Sequence, residues 1–175
     1  MISPTDTAYR LLPTSPSARE LMDAYTPGLF ELKFAEERTR QAAPRVGLLV
    51  LLKTFQRLGY FVRVADVPDS VLRQVAEAAG YDGVPQELDD YDRGTLRVRH
   101  MALVRSWMGV SAFDREALRI IVKASVEASR VREDLADIIN VAIEELLRKR
   151  FELRFHRGFH NDSERLTIEC RHAHP

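Results

Sequence analysis

Residues 46–63 read VGLLVLLKTFQRLGYFVR. Leu48, Leu51, Leu52, Phe55 and Leu58 recur at helical spacing, and Val46 and Val50 widen the apolar stripe. A stripe this wide belongs to a central helix packed on several sides. Pro44 suits the first turn of that helix and Gly59 its C-terminal stop. Its polar positions are Arg45, Lys53, Gln56 and Arg57. Lys53 and Arg57, one turn apart, read as sharing a face outside the stripe. Tyr60–Val64 alternates weakly and is too short and isolated to make a sheet.

Working outward, the rest of the chain also reads as helices. Pro4, Pro13 and Pro16 keep the start irregular. Ser15 or Ser17 can cap a short helix to about Tyr25, stopped by Thr26-Pro27-Gly28. A second helix is predicted from about Leu29 to Arg40. Beyond the central helix, Asp66 or Asp69 caps one that ends at Gly80. An acidic linker follows through Asp92, then a helix over Thr95–Met108 stopped by Gly109. Asp114 caps a helix carrying Ala117, Leu118, Ile121, Val122 and Val126. The last runs from about Glu133 to Arg150, with acids early and Arg148, Lys149 and Arg150 late, matching the macrodipole. The expectation is an all-α fold of about seven helices with helix-turn-helix-like elements. The acidic linker would divide it into a lobe over 1–85 and a lobe over 91–153. Residues 154–175 would form a divergent, poorly ordered tail.

The 175 residues are 45% hydrophobic and 30% charged, which suits a folding chain and excludes wholesale disorder. A single cysteine excludes an internal disulfide and a Cys-rich zinc module, and favours a reducing compartment. No apolar run approaches the roughly 20 residues of a membrane span, and no signal peptide is visible. The expected location is cytoplasmic.

The formal net charge of zero hides blocks. Arg38, Arg40, Arg45, Lys53, Arg57 and Arg63 fall in a stretch without an acid. From Asp66 to Asp92 there are eight acids against Arg73 alone. Arg93, Arg97, Arg99 and Arg105 then occupy a second acid-free stretch. Such blocks fit a defined anionic partner site. From charge alone the plainer reading is a bundle whose unlike blocks neutralise one another, since solvated charged faces are common.

On a wheel of about 100° per residue, Thr95–Met108 places Leu96, Leu103, Val104 and Trp107 on one side. Thr95, Arg99, Ala102 and Ser106 line the other, with Arg105 beside them. Small and polar residues with one long cation suit a helix in a major groove, where Arg can grip guanine in a bidentate way. The same face is also common on solvated helices. His100 and Arg97 point toward the apolar side, His100 as a satisfied core residue and Arg97 as a partner for Asp89, Asp90 or Asp92. Lys53, Arg57 and Arg63 could bind consecutive phosphates; Arg57 is equally explained as a cation at a helix C-terminus.

Catalytic patterns are absent: the chain has no GxxxxGK[ST], GxGxxG or HExxH. His156, His160, His172 and His174 cluster near Cys170, but without apolar periodicity to build a zinc frame around them. No metal, cofactor, small-molecule substrate or membrane partner is expected, and no enzymatic activity.

The GLLVLLKTFQRLGYF block (47–61) resembles the N-terminal region of Tn-three family transposases, the class II replicative bacterial transposases. Thr7-Ala8-Tyr9, Pro16-Ser17-Ala18-Arg19-Glu20-Leu21 and Tyr25-Thr26-Pro27 are similar to the family's opening, and Asp66-Val67-Pro68 to the start of a later helix. Tyr91, Arg93, Thr95, His100, Arg105, Gly109 and Phe113 match its next pattern. The resemblance covers roughly residues 7–153. It implies a helical module that binds double-stranded DNA at the transposon's terminal inverted repeats, with cutting and joining left to an RNase H-like domain that has no counterpart here. On that reading the DNA-contacting residues are Lys53, Arg57 and Arg63, with Arg93, Thr95, Arg99, Arg105 and Ser106. The alternatives are a helical protein–protein module that assembles transposase subunits through its charge blocks, or a non-functional remnant. After Leu153 the chain departs from the family pattern, as a truncated or frame-shifted reading frame would.

Overall fold

The computed structural model describes residues 8–154, and over these the chain is all-α, without a strand. Its elements are α1 (Ala18–Glu20), which runs on into a π-helical turn (Leu21–Tyr25), α2 (Leu29–Arg38), α3 (Ala42–Leu58), α4 (Asp69–Ala78), α5 (Thr95–Met108), α6 (Arg115–Ser129) and α7 (Leu135–Arg148). Short 3-10 segments cover Val64–Asp66 and Gln86–Arg93. The chain forms two compact units, one over 11–112 and the other made of 113–154 with 8–10. The tail histidines and Cys170 lie outside the described residues.

In the 11–112 unit, α3 is central. Val46 and Leu48–Leu52 are fully buried, with α2, α4, α5, the π-helical turn and the 86–93 segment packed around them. Gly59 adopts a left-handed conformation (φ 80°) and its N–H returns to the Phe55 carbonyl, ending the helix as its sequence predicts. Of the two serines offered as a first cap, Ser17 serves: its hydroxyl accepts from the Glu20 N–H while the Glu20 carboxylate accepts from the Ser17 N–H. Neither Asp66 nor Asp69 caps α4; the turn opens on the Pro68 carbonyl, which accepts from Val71 and Leu72. Helix α2 stops at Arg38, short of the predicted Arg40. There Thr39 turns extended, its hydroxyl donates back to the Ala35 carbonyl, and Arg45 holds its carbonyl from α3.

The acidic stretch read as a linker belongs to this unit as a strap. Leu88 and Tyr91 are three apart, so a 3-10 helix puts both on one side, and both are buried. Asp92 accepts from the Val64 and Ala65 N–H groups at 3.1 and 2.9 Å, capping the neighbouring 3-10 turn. The division between units accordingly falls at 112–113 rather than in the acids.

The other unit is a helical hairpin of α6 and α7 joined by residues 130–134. Asp114 caps α6 by accepting from Glu116 and Ala117, and Asp134 caps α7 by accepting from Ala136. Ala117, Ala124 and Ala128 of α6 and Ala142, Ile143 and Leu146 of α7 are buried, and the two helices pack on each other. Small side chains on α6 suit close helix approach. Leu118, Val122 and Val126, one turn apart on α6, remain about half exposed. Asn140 accepts from the Ala8 N–H, tying residues 8–10 to the hairpin.

Candidate nucleic-acid interface

Helix α5 has the bounds predicted for it, and Gly109 closes it in a left-handed conformation (φ 62°). Its inward face is specified residue by residue. Val104 is fully buried, and His100 nearly so. Tyr91 Oη lies 2.5 Å from His100 Nδ1. Burial holds the Tyr91 hydroxyl protonated far above its usual range. Burial, helped by the Arg99 charge, lowers His100 to about 4. The phenol therefore donates to Nδ1, and the neutral imidazole carries its proton on Nε2. Arg97, toward the same side, lies 3.0 Å from Asp92 Oδ1 through Nε and donates to the Val62 carbonyl. Of the three aspartates offered to it, Asp92 is the partner. Arg105 stacks over Phe61 at 5.1 Å. Trp107, expected on the apolar side, packs its ring on Phe34 at 4.4 Å, yet 44% of the residue stays exposed.

The opposite side of α5 is free of such commitments. Thr95, Arg99, Ala102 and Ser106 are all exposed. The expected face therefore exists as a continuous strip of solvent-facing positions over three turns.

The basic residues expected to join it divide by their partners. Lys53 is not on an exposed face, and the expectation that it lies outside the apolar stripe is corrected: it is 8% exposed, and its Nζ donates to Glu31 Oε2 at 3.2 Å. Glu31 also accepts from Gln56 and from the Gly28 N–H, so Lys53 belongs to a knot that pins the start of α2 to α3. Periodicity could not reveal this, because Glu31 is 22 residues away. Arg57 lies 4.0 Å from Glu20, Arg63 4.0 Å from Asp66, and Arg93 2.8 Å from Asp90. Arg99 has no carboxylate within ion-pair distance among the described residues.

Two further cations stand beside Arg99. Arg38 and Arg40 line the same open cleft, of about 360 Å³, and no acidic residue lines it. Thr39 between them is extended, with its side chain buried, and lines the cleft with them. Arg38 and Arg40 belong to the first acid-free block and Arg99 to the second. Sequence reading noted both blocks but did not single out Arg38 or Arg40 as site residues. Their position at the first block's edge was the only signal.

Among the described residues no group of three or more His, Cys, Asp or Glu could hold a metal ion, and no helix is long and apolar enough to cross a membrane.

The chain belongs to the family described as a domain of unknown function, DUF4158, which matches residues 4–153. No curated protein and no solved structure matches it.

Proposed function

We propose that the chain is a non-catalytic DNA-binding module of a transposase, recognising the terminal inverted repeats of a transposon. The observation that carries this reading is α5, whose Thr95, Arg99, Ala102 and Ser106 lie together in solvent while His100, Val104 and Arg97 anchor the other side. A rigidly held helix with a small, polar, cationic outer face has the shape and chemistry to enter a major groove. The resemblance of residues 7–153 to Tn-three family transposases supplies the partner. Arg63 and Arg93, exposed at 3-10 segments of the same unit, would be flanking phosphate contacts.

A protein–protein role is the second reading, favoured by the exposed apolar row Leu118, Val122 and Val126 on α6. Gel shifts with a duplex from the ends of a related element, repeated across salt concentrations, separate the two. DNA binding predicts log K falling linearly with log salt, with a slope of about −0.9 for each phosphate neutralised. No binding to any duplex, or a flat salt response, would reject the DNA reading.

A further inference from the structure

We infer that the cleft between the α2–α3 corner and α5 is a phosphate-binding site in which Arg38, Arg40 and Arg99 together hold one phosphodiester group. This deepens the DNA-binding reading and rests on it for the source of the phosphate; the anion chemistry stands on the cleft alone.

Three observations lead there. First, Arg38, Arg40 and Arg99, from stretches some 60 residues apart in the chain, line one cleft. Like charges drawn together without a counterion repel, and in this unit Lys53, Arg57, Arg63, Arg93 and Arg97 each have a carboxylate partner. Arg38, Arg40 and Arg99 have none among the described residues, and no acid lines their cleft. Second, the cleft is built, not frayed. Thr39 is fixed by its own bond to Ala35 and by two donors from Arg45, which sets where Arg38 and Arg40 emerge. Arg38 also lies over the Phe34 ring at 6.0 Å, an arrangement that leaves the guanidinium edges unspent for an anion. Third, the rest of the lining offers no competing charge: His100 is uncharged at neutral pH, and Pro44, Leu96 and Leu103 are apolar.

The site changes the part Arg99 plays. The face of α5 taken alone makes Arg99 a reader of guanine. Shared with Arg38 and Arg40, it becomes a backbone contact that sets the register of α5, leaving Thr95, Ala102 and Ser106 toward the bases.

The test follows the arginine Nε–H signals of the full chain by NMR during separate titrations with inorganic phosphate, dimethyl phosphate and a random-sequence duplex. The signals of Arg38, Arg40 and Arg99 are expected to move together in all three, saturating at far lower concentration with the duplex. Arg38→Gln, Arg40→Gln and Arg99→Gln should each lower affinity for random and specific duplex alike by roughly threefold to tenfold at about 0.1 M salt, and reduce the salt slope by about one. Signals that move with phosphate in a chain that binds no duplex would keep the anion site and reject the DNA source. Duplex binding that leaves the three signals still, or that the three substitutions do not weaken, would overturn the site and leave the DNA reading standing. Loss of preference at one base position on Arg99→Gln, without loss on random duplex, would also overturn it.

Discussion

The ring of Tyr91 occupies the space that a side chain at position 47 would fill. A Cβ built on Gly47 would stand 2.6 Å from Tyr91 Cζ and 2.8 Å from Cδ2, closer than carbon atoms approach. Gly47 lies within α3, where glycine ordinarily costs about 1 kcal/mol relative to alanine. It is retained there because Tyr91 must come close enough to seat the 86–93 strap and to donate to His100.

Gly47→Ala is therefore expected to destabilise the protein by about 1–3 kcal/mol through overpacking. In a Tyr91→Ala background the same change should stabilise, by up to about 1 kcal/mol, because only helix propensity remains. Urea denaturation of the four chains of this cycle reads the sign directly. A Gly47→Ala effect of one sign in both backgrounds would refute the packing account.

His100 makes stability depend on pH. Its folded value, about 4, lies below the unfolded value of 6.5. The folded chain binds fewer protons than the unfolded chain between those values. The stabilisation is thus complete above pH 6.5 and declines as pH falls toward 4, by about 3 kcal/mol in all. His100→Gln retains an acceptor for Tyr91 and removes the titration. Thermal melts from pH 7 to 4 should show a flatter acid limb for this variant than for the parent.

Lys53 should behave as a structural residue. Lys53→Ala leaves Glu31 half-dry with two partners and is expected to cost about 3 kcal/mol, while Lys53→Met, which retains the packed stem, should cost less. Affinity for random duplex, corrected for the folded fraction, should be unchanged in both. A fall in the salt slope with the fold intact would restore Lys53 as a phosphate contact.

Ala102→Glu places an acid in the middle of the exposed face of α5. Surface changes of this kind usually shift stability by less than about 0.5 kcal/mol. Duplex affinity should nonetheless drop at least roughly tenfold, since the carboxylate would meet the phosphate-lined groove. Circular dichroism and fluorescence anisotropy on the same samples separate the two effects. Unchanged affinity would remove α5 from the interface.

Local physics made much of the fold legible in the chain itself. The apolar stripe from Val46 to Leu58 defined α3 as central, Gly59 and Gly109 marked helix ends, and Thr95–Met108 could be bounded and its outer face named. Each of these depends on residues within one or two turns of one another, the range over which helical periodicity and capping act. The strap at 86–93 was less legible, because its two apolar residues are scattered among acids and only the 3-10 spacing of Leu88 and Tyr91 marks it.

What only the tertiary structure decided is which charges are spent. Lys53 and Arg99 look alike in sequence, each a cation on a helix beside apolar neighbours. Folding brings Glu31 to Lys53, and it sets Arg38 and Arg40 with Arg99 along a cleft that no acid lines. Helix type is settled by contacts a few residues apart. The partner of a charge is settled by which distant residue the packed core carries to within a few ångströms, where the Coulomb interaction is strong enough to matter.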